Sequence, residues 1–103
     1  MRVELHPLVL EELKRDARYY ESCRRGLGRR FSECVYAAFD EIAESPSAWP
    51  VLEGDARRYL LRIFPYAVLY SLEQDCVLVV AVMHCRRRPC YWRDRVHEAD
   101  ERN

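Results

Sequence analysis

The spacing of apolar residues changes once along this chain, and that change limits the folds open to it. From Leu8 to about Arg24, and again from about residue 28 to 44, apolar residues recur every three or four positions. That spacing is typical of one buried face of an α-helix. After residue 57 the side chains instead follow a period of two, beginning with Tyr59, Leu61 and Ile63 on one side, which is the period of a β-strand. The sequence therefore predicts two helices followed by a sheet.

The strands are predicted from the alternating runs and from the turn residues between them. We expect strands at 2–6, 57–63, 66–72 and 76–84, a hairpin loop at 73–75 and a longer loop at 46–55. The last strand is apolar on both faces, which is typical of a central strand. The order β-α-α-β-β-β predicts an α+β fold, with a helical hairpin packed on one face of a small, mostly antiparallel sheet. With 103 residues, the chain is expected to form one domain over 1–103, in which about 96–103 are a polar tail.

Several classes of protein are disfavoured by composition. No apolar run reaches the roughly 18 residues of a membrane span, and the N-terminal residues lack a signal-peptide pattern, so a cytoplasmic protein is expected. The five cysteines form no CxxC pair, which favours reduced thiols. A zinc site could be drawn from four residues near the C-terminus, but their spacing matches no standard ligand pattern. Those residues are His84, Cys85, Cys90 and His97. We expect no metal and no cofactor.

The strand at 76–84 runs directly into a basic, aromatic segment. Residues 86–95 hold five arginines and one acid, whereas 96–103 hold three acids and one arginine. A net charge of zero therefore conceals a basic patch. Arginine offers a planar fork that suits phosphate and carboxylate, and the adjacent Arg86, Arg87 and Arg88 repel one another unless an anion lies nearby. The segment is predicted to face a partner.

Two functional interpretations fit this segment. The arginines could hold RNA phosphates while His84 or Tyr91 moves a proton during cleavage. Alternatively, the segment could be a protein interface, because arginine, tyrosine and tryptophan are enriched at binding hot spots. Purely structural interpretations stand beside both: local hydrogen bonds could satisfy His84, Trp92 could be a lid on the core, and Arg58 could belong to a solvated face.

The same residues resemble a known family. "VELHPLVLEELKRDARYYE", "LGRRFSECVYAAFDEIAESPSAWP" and "RRYLLRIFPYAVLYSLE", followed by "CVLVVAVMHCRRRPCYWRDR", are similar in order and spacing to the ParE/RelE superfamily of bacterial type II toxin–antitoxin toxins, also called plasmid-stabilisation proteins. The "FPY…Y" pair and the "H-x-R-R-x-P-x-Y-W-x-x-R" ending look like the ParE branch. The resemblance covers nearly the whole chain.

The resemblance implies a toxin that a cognate antitoxin neutralises by wrapping it with a helix and a strand. It also implies one of two targets: DNA gyrase, inhibited by ParE-like members, or ribosome-bound mRNA, cleaved by RelE-like members. If the chain is a nuclease, the family motifs imply a catalytic set of Arg62, His84, Arg87 and Tyr91. The residues expected to bind the target or the antitoxin are Arg58, Arg62, Arg86, Arg87, Arg88, Tyr91, Trp92 and Arg95.

The absence of lysine from the strand at 57–63 and from the loop before it favours the gyrase alternative. Arginine can replace lysine as a cation, but its guanidinium does not donate a proton near neutral pH. A third possibility is a degenerate member that keeps only antitoxin binding. None of these readings requires a membrane or a small-molecule cofactor.

Overall fold

Two helices and a five-stranded sheet make up the protein, as seen in a computed structural model that describes residues 1–87 and 91–96. The elements in chain order are β1 (Arg2–Leu5), α1 (Pro7–Cys23), α2 (Leu27–Glu44), β2 (Val51–Glu53), β3 (Ala56–Leu60), β4 (Tyr66–Leu72) and β5 (Cys76–His84). Residues 93–96 add one helical turn. In the part of the chain that the structure describes, neither helix is long and apolar enough to cross a bilayer.

The sheet confirms the predicted α+β architecture. Its strand order is β1-β5-β4-β3-β2; β1 pairs in parallel with β5, and the other pairs are antiparallel. The expected loop at 46–55 was wrong in part, because it contains β2. Gly54 has a φ of 54°, a left-handed conformation that glycine adopts readily, and it lets β2 turn back onto β3. The strand predicted at 57–63 also ends earlier, at Leu60, because the chain bends into a loop before β4.

Local sequence explains how the helical hairpin forms. The Nδ1 atom of His6 accepts a hydrogen bond from the Leu8 amide at 3.2 Å, and Pro7 occupies the first turn of α1, where its missing N–H costs nothing. Three residues, 24–26, connect α1 to α2. At Gly28 the helices approach so closely that a Cβ atom would lie 2.3 Å from the Ala17 carbonyl oxygen.

The sheet is buried on both faces, by different parts of the chain. On one face the two helices cover β3, β4 and β5, with an aromatic group of Tyr20, Phe31, Phe64 and Tyr66 at centroid distances of 4.8–6.2 Å. On the other face Trp92 packs with Leu69 and Val80. The C-terminal segment is therefore the second layer of the core, and it brings its neighbouring arginines to the edge of β5.

A bulge in β5 decides which face His84 occupies. Tyr70 pairs with Val79 and Leu69 pairs with Ala81, so Val80 is an extra residue in the strand. An extra residue reverses the alternation of side chains beyond it. Strict alternation along 76–84 would place Val80 and His84 on the same face. The bulge separates them: Val80 packs with Trp92, whereas His84 lies beside Tyr66 on the helix face.

Candidate functional site

The end of β5 turns sharply, and the turn exposes one arginine. The Arg87 amide donates to the His84 carbonyl at 2.9 Å, and the Cys85 amide donates to the Pro65 carbonyl at 2.8 Å. The Nδ1 atom of His84 accepts a bond of 3.0 Å from the Arg86 amide. His84 is half-buried and meets the Tyr66 ring edge-on at 5.2 Å. The turn leaves Arg86 exposed, with no ion pair to any residue in 1–87 or 91–96.

A carboxylate on α1 pairs with two of the arginines expected to face a partner. Glu12 binds Arg95 through both of its oxygens, at 2.7 and 3.0 Å, and it lies 3.7 Å from Arg87. The side chains of Glu12 and Arg95 are only 11% and 9% exposed. Arg95 also donates to the Val80 carbonyl at 3.0 Å, next to the bulge. We call this group of Glu12, Arg87 and Arg95 the Glu12 clasp.

Glu12 is the important site residue that the sequence analysis did not identify. Helical spacing would pair Glu11 with Arg15, but Arg15 instead lies 3.5 Å from Asp16. The sequence did contain a signal for Glu12. It directly precedes the buried Leu13, so it lies at the border of the buried face of α1. An acid at such a border is partly desolvated and needs a cation or hydrogen bonds.

The two aromatic side chains expected to offer stacking surfaces are used inside the protein. The Tyr91 ring lies beneath Arg87 at 3.8 Å and beneath Arg95 at 5.1 Å. Its hydroxyl is buried without a hydrogen-bond partner among the described residues, and burial raises its pKa. Trp92 is 3% exposed, as in the core-lid interpretation. In this conformation Trp92 is closed to a nucleic-acid base, and Arg87 stacks on the ring of the half-buried Tyr91.

The remaining candidates lie in three places. Arg62 is 86% exposed, 3.9 Å from Glu41 on α2. It follows β3 at the same end of the sheet as His84, since Leu61 donates to the Tyr66 carbonyl and Tyr66 pairs with His84. Arg58 is exposed on β3. Arg88 lies outside the described residues.

A groove lies beside Arg62, between α2 and the end of β3. It has a volume of about 390 Å³ and is lined by Cys34, Ala37, Ala38, Glu41, Tyr59, Leu61, Arg62 and Ile63. The Tyr59 hydroxyl donates to Glu41; burial, and then this carboxylate, raise the pKa of Tyr59 to about 12. Ile63 is 61% exposed. The groove is therefore mainly apolar, with Arg62 at its border.

The candidate metal ligands cannot be assembled from the described residues alone. Within 1–87 and 91–96, no group of three or more histidine, cysteine, aspartate or glutamate side chains is arranged to hold a metal ion. Cys90 and His97, two of the four residues considered for zinc, lie outside those ranges.

Comparison with known proteins gives a family and a fold. The model of the family described as "ParE toxin of type II toxin-antitoxin system, parDE" matches residues 3–89. The crystal structure of the isolated E. coli RelE toxin is similar at a TM-score of 0.61 and 22% sequence identity, covering 98% of this chain and 96% of that one. The search of curated proteins gave no match.

Proposed function

This chain belongs to the ParE toxin family of type II toxin–antitoxin systems, and we propose that it acts by inhibiting DNA gyrase. Membership makes it the toxin component of such a module, whose partner is a cognate antitoxin. The identity of the target is the proposed part. The proposal places the contact with gyrase at the end of the sheet where β5 leaves the core.

The cations available for this contact are Arg62 and Arg86. Both are exposed; Arg62 has only a long contact to Glu41, at 3.9 Å. Arg87, at 39% side-chain exposure, lies at the border of the Glu12 clasp, and Arg95 is within it. Arg58 and Arg88 remain candidates on position alone. Exposed arginines on a rigid support favour binding to a macromolecular surface, because little ordering is needed when the partner arrives.

The observation that carries the proposal is the position of the Tyr91 hydroxyl. A ribonuclease built from Arg62, His84, Arg87 and Tyr91 needs a proton-transfer group within hydrogen-bond reach of the substrate. The Tyr91 hydroxyl is buried, and Arg87 stacks on its ring. The same segment needs no rearrangement to present Arg86 to a protein. This arrangement removes Tyr91 from the set and leaves His84, half-buried beside Tyr66, as its one remaining proton-transfer group, which supports inhibition by binding over cleavage of RNA.

Neutralisation by the antitoxin follows naturally if the antitoxin occupies the groove beside Arg62. A protein interface usually has an apolar centre with a polar rim, and this groove has that composition. Ile63 and Leu60 are 61% and 53% exposed, which is an apolar surface that a partner would cover. An antitoxin seated there would also cover Arg62 and remove one of the two cations proposed for gyrase.

A supercoiling assay with purified gyrase tests the proposal. The wild-type chain should inhibit supercoiling at near-stoichiometric amounts. Arg62→Ala and Arg86→Ala should each raise the half-inhibitory concentration about tenfold, which corresponds to a loss of about 1.4 kcal/mol. Arg2→Ala is the matched control, because Arg2 is an exposed cation at the start of β1 that pairs with Glu4 and Asp75; it should inhibit normally.

Two further measurements separate the parts of the proposal. Ile63→Ala should weaken antitoxin binding while gyrase inhibition persists, because it removes apolar surface from the groove without adding a negative charge beside Arg62. Unaltered supercoiling at a large excess of wild-type chain would refute gyrase as the target. New mRNA ends inside translated codons, lost in His84→Ala, would instead establish the ribonuclease alternative.

A further inference from the structure

The tip of the helical hairpin, residues 18–30, carries the largest local excess of charge outside the site described above. It holds five arginines, Arg18, Arg24, Arg25, Arg29 and Arg30, and one acid, Glu21. These residues contribute a net charge of +4 to a chain whose total is zero. The five arginines are exposed. Like charges so close together repel one another and raise the local potential.

The carboxylates near the tip do little to offset this charge. Both oxygens of Glu21 accept backbone amides of the turn, from Gly26 at 2.9 Å and from Gly28 at 3.1 Å. Arg29 pairs with Glu33 at 3.0 Å, but the two side chains are 85% and 64% exposed and such a pair is weak. Within 1–87 and 91–96, the other four arginines form no ion pair.

The tip is a rigid support for these cations. Gly26 adopts a φ of 86°, and the close approach of Gly28 to Ala17 fixes α2 against α1. The two hydrogen bonds that Glu21 accepts from the Gly26 and Gly28 amides close the turn. A ligand that binds here therefore meets guanidinium groups on a preformed backbone, and the ordering cost is limited to side chains.

From this patch we infer that the hairpin tip binds the sugar–phosphate backbone of a nucleic acid. A protein partner that binds the tip would need an apolar centre at the contact. Within the tip, all of whose residues the structure describes, Tyr19 is the one exposed large apolar side chain, at 63%, and a single ring does not make such a centre. Contacts to phosphates require only cations and are independent of sequence. Exposed Tyr19 can add stacking to an unpaired base.

The tip lies at the same end of the protein as the turn after β5. Tyr20, which begins the last turn of α1, meets Tyr66 at a centroid distance of 6.2 Å, and Tyr66 meets His84 at 5.2 Å. A nucleic acid held at the tip therefore runs close to Arg86. The inference does not require gyrase as the target, since it concerns a separate group of arginines and can be measured without gyrase.

Fluorescence anisotropy with a labelled mixed-sequence DNA duplex and a labelled single-stranded RNA tests the inference. The tip variant is Arg25→Gln/Arg30→Gln. Its matched control is Arg2→Gln/Lys14→Gln, which removes the same charge from exposed positions outside the tip. A plot of log affinity against log salt concentration has a negative slope. Each phosphate contact steepens it by about 0.9 for duplex DNA and by about 0.7 for single strands. The tip variant, which lacks two cations, should therefore show a duplex slope that is shallower by about 1.8.

The expected result is salt-dependent binding by the wild type and by the control, within twofold of each other, and at least a tenfold loss for the tip variant at about 50 mM salt. Preference for the DNA or the RNA probe identifies which backbone is used. Three outcomes would overturn the inference: no binding by the wild type at that salt, equal losses in both double variants, or tighter binding of a polyglutamate peptide than of either nucleic acid at the tip. Circular dichroism confirms that each variant is folded.

Discussion

Breaking the Glu12 clasp is the perturbation whose size follows most directly from the structure. Glu12→Gln leaves Arg95 charged, 9% exposed and held by a neutral amide. Removing one partner of a buried ion pair costs about 3–5 kcal/mol, because the other charge stays desolvated. The glutamine oxygen can still accept one N–H bond, so we expect about 3 kcal/mol, the lower end. Arg87 is partly solvated and adds little.

Equilibrium unfolding in urea measures this loss. With a slope of about 1–3 kcal/mol per molar urea, the midpoint should fall by about 1–3 M. The matched control is Glu53→Gln, which breaks the 2.9 Å pair between Glu53 and Arg93. Those side chains are 41% and 51% exposed, so solvent screens the pair and its loss should cost less than about 1 kcal/mol.

Tryptophan fluorescence can also distinguish detachment of the C-terminal segment from global unfolding. Trp92 is buried against the sheet, and Trp49→Phe makes it the single tryptophan of the chain. In the Glu12→Gln variant its emission should shift to the red at lower urea than the loss of helical circular dichroism. Adding Arg95→Met should recover part of the stability, because it removes the buried charge that Glu12 no longer balances. Equal midpoints for Glu12→Gln and Glu53→Gln would refute the reasoning.

Two further predictions concern the packing of the helices. Gly28→Ala should cost about 1–3 kcal/mol by overpacking, because its Cβ meets the Ala17 carbonyl, whereas Gly26→Ala has open space and should cost only about 1 kcal/mol of backbone strain. Urea unfolding compares the two, and equal costs would count against the close approach. For Tyr59, the raised pKa of about 12 means that the folded state favours the neutral phenol. Its stabilisation is complete below the ordinary pKa of 10.0 and is lost as the pH rises from there through 12. In Tyr59→Phe the urea midpoint should fall less steeply over that range; an unchanged slope would rule out this role for the hydroxyl beside Glu41.

The fold was largely predictable because local sequence patterns mark the limits of most of its helices and strands. β4 and β5 begin and end where predicted, since Pro65 and residues 73–75 mark their limits and the residues between are almost all apolar. The bounds of both helices agree with prediction to within one residue. The short strand β2 was not predictable in this way, because its three residues are all exposed and carry no alternating pattern. The bulge at Val80 was equally hidden, because β5 is apolar on both sides.

The sequence predicted which segment forms the candidate site, but not which side chains from other elements contact it. The run from His84 to Arg95 was identified from composition, since charge and aromatic content change abruptly there. Its partner was not, because Glu12 and Arg95 are 83 positions apart and no local spacing connects them. The same holds for Arg62, whose contact with Glu41 depends on how α2 lies against β3. Long-range pairing decides which of several similar arginines is exposed.

The extra residue in β5 has a consequence for reading this segment in other chains. Upstream of Val80 the strand is held by β1, and downstream it is held by β4 alone. The phase between the two halves depends on a single inserted position. A chain with the same letters after its last strand, but without the insertion, would turn its histidine toward the tail and away from the helices. A match to the sequence motif that begins at His84 therefore does not by itself establish on which face of the sheet the histidine lies.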